Sequence, residues 1–166
     1  MKRFSCFFIW IFVLTSILPA QEREVKLKVV QTSDIHGNYY PYDFIRRREA
    51  TGSLARVHAL VQKEREAYGK NLILLDNGDI LQGQPTAYYY NYIDTVAPHL
   101  AAEMMNFMGY NAGNMGNHDV ETGRSVFDRW IGTCDFPILG ANIIDTSTGE
   151  TYLPPYKVLR LSLIHI

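Results

Sequence analysis

Cysteine is scarce in this chain, which has 166 residues and only two cysteines, Cys6 and Cys134. Cys6 lies in an apolar N-terminal run. Removal of that run would leave Cys134 as the only cysteine and exclude an intrachain disulfide in the remaining chain. We therefore expect Cys134 to be a buried, unreactive thiol beside Phe136 and Ile138, and not a catalytic nucleophile.

An excess of charge of either sign is also missing. The chain has 16 basic and 17 acidic residues, which give a formal net charge of −1. Binding to a nucleic-acid polymer is usually supported by an excess of basic residues, so this balance gives no reason to expect such a partner. The apolar fraction of 47% is typical of one globular domain, or of part of a larger one.

The N-terminal segment has a long hydrophobic run. Lys2 and Arg3 precede uncharged residues 4–18, and Pro19 and Ala20 end the run. This pattern is typical of a secretory signal peptide, and the run is shorter than the ~18 residues of a spanning helix. We expect cleavage after Ala20, a periplasmic or secreted protein, and no stable membrane insertion afterwards, with an uncleaved anchor as the alternative. Residues 21–166 would then carry a net charge of −3.

Predicted strands alternate with predicted helices along residues 21–166. The predicted strands are residues 25–30, 72–75, 110–115, 136–139 and 156–163. The predicted helices are residues 54–68 with Ser53 as N-cap, 95–108 with Asp94 as N-cap, and 124–131. Such alternation indicates βαβ units and an α/β fold with a parallel sheet. Ligands of these sheets bind beyond the carboxyl ends of the strands.

Three short motifs follow predicted strands. Their sequences are Asp34-Ile35-His36-Gly37, Gly78-Asp79-Ile80-Leu81-Gln82-Gly83 and Gly116-Asn117-His118-Asp119. Each motif alone is more typical of an ordinary polar turn than of a metal site. The three together, in this order and each after a strand, indicate that side chains distant in sequence converge on one edge of the sheet.

The side chains in these motifs are suitable metal ligands. Residues two apart on an extended backbone point the same way, so Asp34 and His36 could bind one ion together. The two oxygens of Asp79 could bridge two ions, and Gly78 would let the backbone bend there. Asn117 offers a neutral amide oxygen. Mixed oxygen and imidazole ligands suit Zn, Mn, Fe, Mg or Ca to different degrees, so the sequence leaves the metal open.

Two adjacent cations would favour phosphoester hydrolysis. They would polarise a phosphoryl oxygen and lower the pKa of a bridging water that attacks phosphorus. His118 could stabilise the phosphoryl charge or protonate the leaving oxygen. A nearby carboxylate would orient its imidazole, and the sequence leaves both Asp119 and Glu121 open for this role.

The pattern D-x-H-G, G-D-x-x-Q-G-x-P and G-N-H-[DE] resembles the calcineurin-like metallophosphoesterases. The segments TSDIHGNYYPYD, LLDNGDILQGQP and MGNHDVETG are similar, more narrowly, to the secreted 5′-nucleotidase and 2′,3′-cyclic-nucleotide 2′-phosphodiesterase branch. The resemblance covers residues 25–161 and implies a four-layer α/β/β/α sandwich that is incomplete at its C-terminus.

The resemblance also implies roles for individual residues. Asp34, His36 and Asp79 would hold one metal ion, and Asp79 and Asn117 the second. His118 would be the catalytic histidine. The nucleotidase branch often carries Asp three positions after that histidine, where this chain has Glu121 instead.

A second departure concerns later histidines. The family completes its metal sites with a Gly-His-x-His-like element that this sequence lacks, so the resemblance implies the N-terminal part of a longer enzyme. A C-terminal substrate-binding domain would be missing. His58 and His99 are expected to be helix-surface or packing residues. The terminal residues 161–166 resemble a translated adapter tail, although a genuine strand is the alternative, and His165 is not expected to be a ligand.

The expected function is metal-dependent hydrolysis of extracytoplasmic nucleotides, which would be the small-molecule partners. The alternatives are the same chemistry on another phosphomonoester or sulfur ester, an inactive fragment, or a non-catalytic secreted metal-binding domain. Tyrosines follow the first two motifs, and they are Tyr39, Tyr40, Tyr42, Tyr88, Tyr89, Tyr90 and Tyr92. They could line a substrate cleft, but packing beneath loops is the favoured interpretation.

Overall fold

Residues 24–161 are described by a computed structural model. The predicted signal peptide, residues 1–20, and His165 lie outside the described residues. The strands are β1 (Lys28–Thr32), β2 (Tyr42–Asp43), β3 (Arg48–Glu49), β4 (Leu72–Asp76), β5 (Gly113–Asn114) and β6 (Ile138–Leu139). The helices are α1 (Leu54–Tyr68), α2 (Pro85–Tyr88), α3 (Leu100–Met108), α4 (Asn117–Glu121) and α5 (Arg124–Thr133). A 3₁₀ turn covers Gly69–Asn71, and a π-helical turn covers Tyr89–Ile93.

The main strands pair in parallel. β1 pairs with β4 in a register that runs from Lys28 opposite Leu72 to Thr32 opposite Asp76. A parallel bridge between Leu75 and Ala112 continues the pairing to the chain just before β5, which pairs in parallel with β6. The strand order is therefore β1, β4, β5, β6, with the carboxyl ends at one edge. This confirms the α/β prediction, whereas the four-layer arrangement stays a prediction.

The core lies between this sheet and the longer helices. All members of the β4 sequence Leu-Ile-Leu-Leu-Asp are buried or half-buried, as expected of a strand covered on both faces. The helices contribute Leu54 and Val61 from α1, Ala101, Ala102, Met105 and Met108 from α3, and Val126 and Trp130 from α5. Cys134 is half-buried against this core, where burial raises the pKa of its thiol to about 12. A thiol in this state is a poor nucleophile.

The predictions for the first and third helices are confirmed. The Ser53 hydroxyl accepts the N–H of Arg56 at 3.2 Å, so Ser53 is the N-cap of α1. Gly69 follows with a φ of 51°, a backbone conformation that glycine adopts readily at a helix end. α5 begins at Arg124 as predicted and ends two residues later than predicted, at Thr133.

The prediction for the second helix is wrong at its start. Asp94 accepts the N–H of Ala97 at 3.1 Å, which closes a turn rather than capping α3. Pro98 disfavours a helical conformation at Ala97. The helix α3 begins only at Leu100, after the N-cap His99.

Several extended segments also differ from prediction. The predicted strand 156–163 is wrong for its described part, since residues 156–161 form no strand and their Tyr156 and Val158 are exposed. The predicted strands 25–30, 110–115 and 136–139 are shifted or shorter in the structure. α2 was not predicted, although Pro85 at its first turn is a recognised start signal. Within residues 24–161, no helix has both the length and the hydropathy of a membrane-spanning segment.

The buried imidazole of His99 should make stability depend on pH. His99 is fully buried, with Nδ1 accepting the N–H of Ala101 at 3.3 Å and Nε2 lying 2.9 Å from Asn91 Oδ1. Burial, and secondarily the charge of Arg129, lowers the pKa of His99 from 6.5 to about 4. Below pH 6.5, His99 therefore takes up a proton more readily in the unfolded chain than in the folded protein.

We expect the contribution of His99 to the free energy of unfolding to be complete above pH 6.5 and to be lost as the pH falls towards 4. Between pH 7 and pH 5 the loss should be about 2 kcal/mol. Urea unfolding at both pH values measures it, and His99→Gln should reduce the difference by that amount. An unchanged pH dependence in the variant would refute the assignment.

Candidate metal centre

The loops that carry the first two motifs are joined by main-chain hydrogen bonds. The Asp34 N–H donates to Gly78 O at 3.0 Å, and the His36 N–H donates to Asp79 O at 2.8 Å. Both loops leave the carboxyl ends of adjacent parallel strands, β1 and β4. The pairing of the sheet is thus extended into the loops, which fixes the first motif against the second.

Three predicted ligands have left-handed backbone conformations. The φ angles are 56° at Asp34, 49° at His36 and 62° at Asp79. The predicted extended backbone at Asp34 and His36 is therefore wrong, because the cross-loop hydrogen bonds impose a turn there. The two side chains still lie together, with His36 Nε2 3.6 Å from Asp34 Oδ1. Left-handed non-glycine residues cost on the order of 1–3 kcal/mol each and are concentrated at functional sites.

Gly78 and Gly116 allow the second and third motifs to touch. A Cβ atom on Gly116 would lie 2.1 Å from Asp79 Oδ1, and one on Gly78 would lie 2.3 Å from the Gly116 nitrogen. Neither distance is compatible with a side chain. In the observed packing, Asp79 Oδ1 also accepts the N–H of His118 at 2.9 Å. Asp79 thus contacts both neighbouring motifs directly.

The three motifs bring nitrogen and oxygen donors together. His36, Asp79 and His118 each offer one ligand atom within 4.8 Å of the other two. The rings of His36 and His118 are 5.3 Å apart, and Asp34 adjoins His36. Asn117 is exposed beside His118, as the first residue of α4. This mixture of imidazole and carboxylate donors is suited to a divalent transition metal. The structure therefore places His118 within the donor cluster.

Glu121 is the carboxylate that contacts the His118 ring. Its Oε2 atom lies 2.8 Å from His118 Nδ1 and accepts a weaker hydrogen bond from Gln82 Nε2 at 3.4 Å. The hydrogen bond raises the pKa of His118 and lowers the pKa of Glu121. With Nδ1 engaged, Nε2 is the nitrogen left for a proton or a ligand. The sequence interpretation missed Gln82, although it lies inside the second motif.

Asp119 has a different position from the one considered for it. It is fully buried, and its carboxylate accepts four main-chain N–H groups, from Asp79, Ile80, Leu81 and Gly116, at 2.7–2.9 Å. Burial raises the pKa of Asp119, and the four donors oppose that effect. The sequence leaves two carboxylates as candidates to orient the His118 imidazole. In the structure Glu121 contacts the imidazole, whereas Asp119 accepts hydrogen bonds from the main chain of the loops.

Residues 27–158 match the family described as Calcineurin-like phosphoesterase. The chain belongs to the calcineurin-like phosphoesterase family. This confirms the family expected from the resemblance of the three motifs, and the named relatives include phosphoesterases and nucleotidases.

Relatives in this family are named for nucleotide substrates. The chain is 37% identical to the trifunctional nucleotide phosphoesterase protein YfkN of Bacillus subtilis, over 93% of this chain and 11% of that protein. It is 32% identical to the 2′,3′-cyclic-nucleotide 2′-phosphodiesterase/3′-nucleotidase of Yersinia enterocolitica, over 84% of this chain and 22% of that protein. The chain thus spans less than a quarter of the length of either relative.

A solved member of the calcineurin-like phosphoesterases has the same fold. The crystal structure of YfkN from Bacillus subtilis superposes with a TM-score of 0.72 at 36% identity. The superposition covers 80% of this chain and 41% of the other.

Proposed function

We propose that the protein hydrolyses phosphoester bonds of nucleotides outside the cytoplasm, as a 5′-nucleotidase or a 2′,3′-cyclic phosphodiesterase/3′-nucleotidase. The observation that carries the proposal is the approach of His36, Asp79 and His118 to within 4.8 Å at the carboxyl edge of the sheet. Membership in a phosphoesterase family and the names of the relatives support the same chemistry.

The predicted ligands would hold two divalent cations in this proposal. Asp34, His36 and Asp79 would bind one, and Asp79 and Asn117 the other. When bound, the cations would polarise the phosphoryl group and acidify the attacking water. The carboxylate, amide and imidazole donors suit Zn, Mn or Fe, while Mg or Ca would need more oxygen ligands.

His118 would protonate the leaving group. Its hydrogen bond to Glu121 favours the protonated imidazole and fixes the ring, so Nε2 presents the proton. As the bond between phosphorus and the leaving oxygen breaks, that oxygen takes the proton from Nε2. Gln82 donates a hydrogen bond to Glu121 at 3.4 Å, so any effect of Gln82 on His118 would act through Glu121.

Replacing His118 tests this role. His118→Asn should lower kcat about 10²–10⁴-fold, the usual contribution of a general acid, while the metal content is retained. Turnover of a nucleoside monophosphate and the metal content after dialysis measure the two quantities. His58→Asn is the matched control, because His58 lies on α1, outside the cluster. Loss of metal from the His118 variant would instead make His118 a ligand.

A further inference from the structure

Three buried polar side chains form a chain of hydrogen bonds beneath the loops of the first two motifs. Thr32 ends β1 and Asp76 ends β4, and the two residues lie opposite each other in the parallel register. Tyr110 lies just before β5, where the chain continues the sheet beside β4. All three residues are buried. Because buried polar groups need hydrogen-bond partners, the direction of each hydrogen bond in this chain is informative.

The hydrogen bonds converge on the carboxylate. Asp76 Oδ1 accepts the Thr32 hydroxyl at 2.6 Å, and Thr32 Oγ1 lies 2.8 Å from the Tyr110 hydroxyl oxygen. Since the single hydroxyl proton of Thr32 is directed at the carboxylate, Tyr110 is the donor to Thr32. Burial raises the pKa of Asp76 to about 6, and hydrogen bonds from Thr32 and Gly78 oppose that effect. At neutral pH the carboxyl group is therefore mostly ionised and acts as an acceptor.

The second carboxylate oxygen of Asp76 holds the turn that precedes Asp79. Asp76 Oδ2 accepts the N–H of Gly78 at 3.0 Å, and Gly78 has a φ of 92°. The carbonyl oxygen of Gly78 in turn accepts the N–H of Asp34 at 3.0 Å. Gly78 thus connects Asp76 to two proposed metal ligands, to Asp34 through a hydrogen bond and to Asp79 through the peptide bond.

Asp76 is not itself a ligand of the candidate metal centre. Each of its carboxylate oxygens already accepts a hydrogen bond from the protein. Among the described residues, the donor cluster consists of His36, Asp79 and His118 and does not include Asp76. Asp119 supports the same loop from Asp79 onwards, whereas Asp76 supports the residue before it. Asp76 is therefore placed to act on the ligands through the main chain.

We propose that Asp76 is a positioning residue for the candidate metal centre, an inference that rests on the proposed metal-dependent function. The two buried hydroxyl groups fix the carboxylate, and the carboxylate fixes Gly78. Gly78 then holds Asp34 and Asp79 in their left-handed backbone conformations. Residues that orient metal ligands without binding the metal commonly account for about 10–100-fold in metal affinity.

Binding of Mn²⁺ tests the proposal without turnover. In a calorimetric titration, Asp76→Ala should bind Mn²⁺ about 10–100-fold more weakly than the wild type. Asp76→Asn should retain most of the affinity, because its amide oxygen can still accept the Gly78 N–H. Ser53→Ala is the matched control, since it removes a buried side-chain acceptor of a main-chain N–H at the start of α1. It should lower stability and leave the Mn²⁺ affinity unchanged.

Two spectroscopic measurements separate positioning from a general loss of stability. In the metal-free protein, amide hydrogen exchange at Asp34 and Gly78, relative to the amides of β4, should be faster in Asp76→Ala and unchanged in Ser53→Ala. The visible absorption of bound Co²⁺ depends on the arrangement of its ligands, and it should change only in Asp76→Ala. If Asp76→Ala does not fold, Thr32→Val replaces it, because this variant removes the hydroxyl that holds the carboxylate and should also weaken Mn²⁺ binding.

The proposal is overturned if the substitution beneath the loops leaves the Mn²⁺ affinity at the wild-type value, or if Ser53→Ala weakens binding equally. In either case, a wild-type protein that binds Mn²⁺ and hydrolyses a nucleotide would leave the proposed function standing. A wild-type protein that binds no divalent cation would refute the proposed metal centre and this inference together.

Discussion

Asp79→Asn is expected to abolish metal binding and activity while leaving the fold intact. The carboxylate lies in the donor cluster with His36 and His118 and is the proposed bridge between two cations. Asparagine has nearly the same shape, tolerates the left-handed backbone at this position, and can still accept the His118 N–H. The substitution therefore removes mainly the negative charge.

The expected loss of kcat/KM exceeds about 10²-fold, because replacing even an outer partner of a ligand commonly costs 10–100-fold. Metal content after dialysis and turnover of a nucleoside monophosphate measure the effect. Asp135→Asn is the control, because Asp135 is an exposed carboxylate away from the motifs. Full metal content together with full activity in Asp79→Asn would rule out the bridging role.

Asp119→Ala is expected to destabilise the protein strongly. The substitution removes the acceptor of four main-chain N–H groups at a fully buried position. A buried donor left without a partner costs about 1–3 kcal/mol. We expect the free energy of unfolding to fall by at least about 3 kcal/mol, and the metal affinity to fall with it, because the loop of Asp79 loses its support.

Urea unfolding with and without metal measures both effects. Asp135→Ala, the same substitution at an exposed carboxylate, should change stability by less than about 0.5 kcal/mol. Asp119→Asn should lie between the two, since its amide group keeps one acceptor oxygen and turns an NH₂ group towards N–H donors. A variant with native stability but no activity would return Asp119 to the list of candidate catalytic carboxylates.

Local sequence signals predicted the parts of the fold that depend on local chemistry. Ser53 and Gly69 marked the two ends of α1 because capping hydrogen bonds form within a few residues. The start of α3 was predicted wrongly because the apolar periodicity continues on the N-terminal side of Pro98. A proline disfavours a helical conformation at the residue before it, so the helix does not include that segment. The short strands β5 and β6 depend on partners distant in sequence, which a single-sequence pattern does not reveal.

The composition of the site was predictable, but its geometry was not. The motif order identified the residues that meet at the sheet edge, including His36, Asp79 and His118. Three of the four partners of Asp119 lie 38–40 residues away on the second motif, so a carboxylate next to a histidine looked like its orienting partner. The turn at Asp34 likewise depends on hydrogen bonds from another loop.

The interlocking of the motif loops has a consequence for the order of events during biogenesis. Within residues 24–161, hydrogen bonds join the loop of the second motif to the loops of the first and third, so none of these loops alone presents the assembled ligands. A nascent or partly folded chain would therefore discriminate poorly among ions. Cation binding should follow the docking of the three loops. The metal content is then a sensitive reporter of the last folding step.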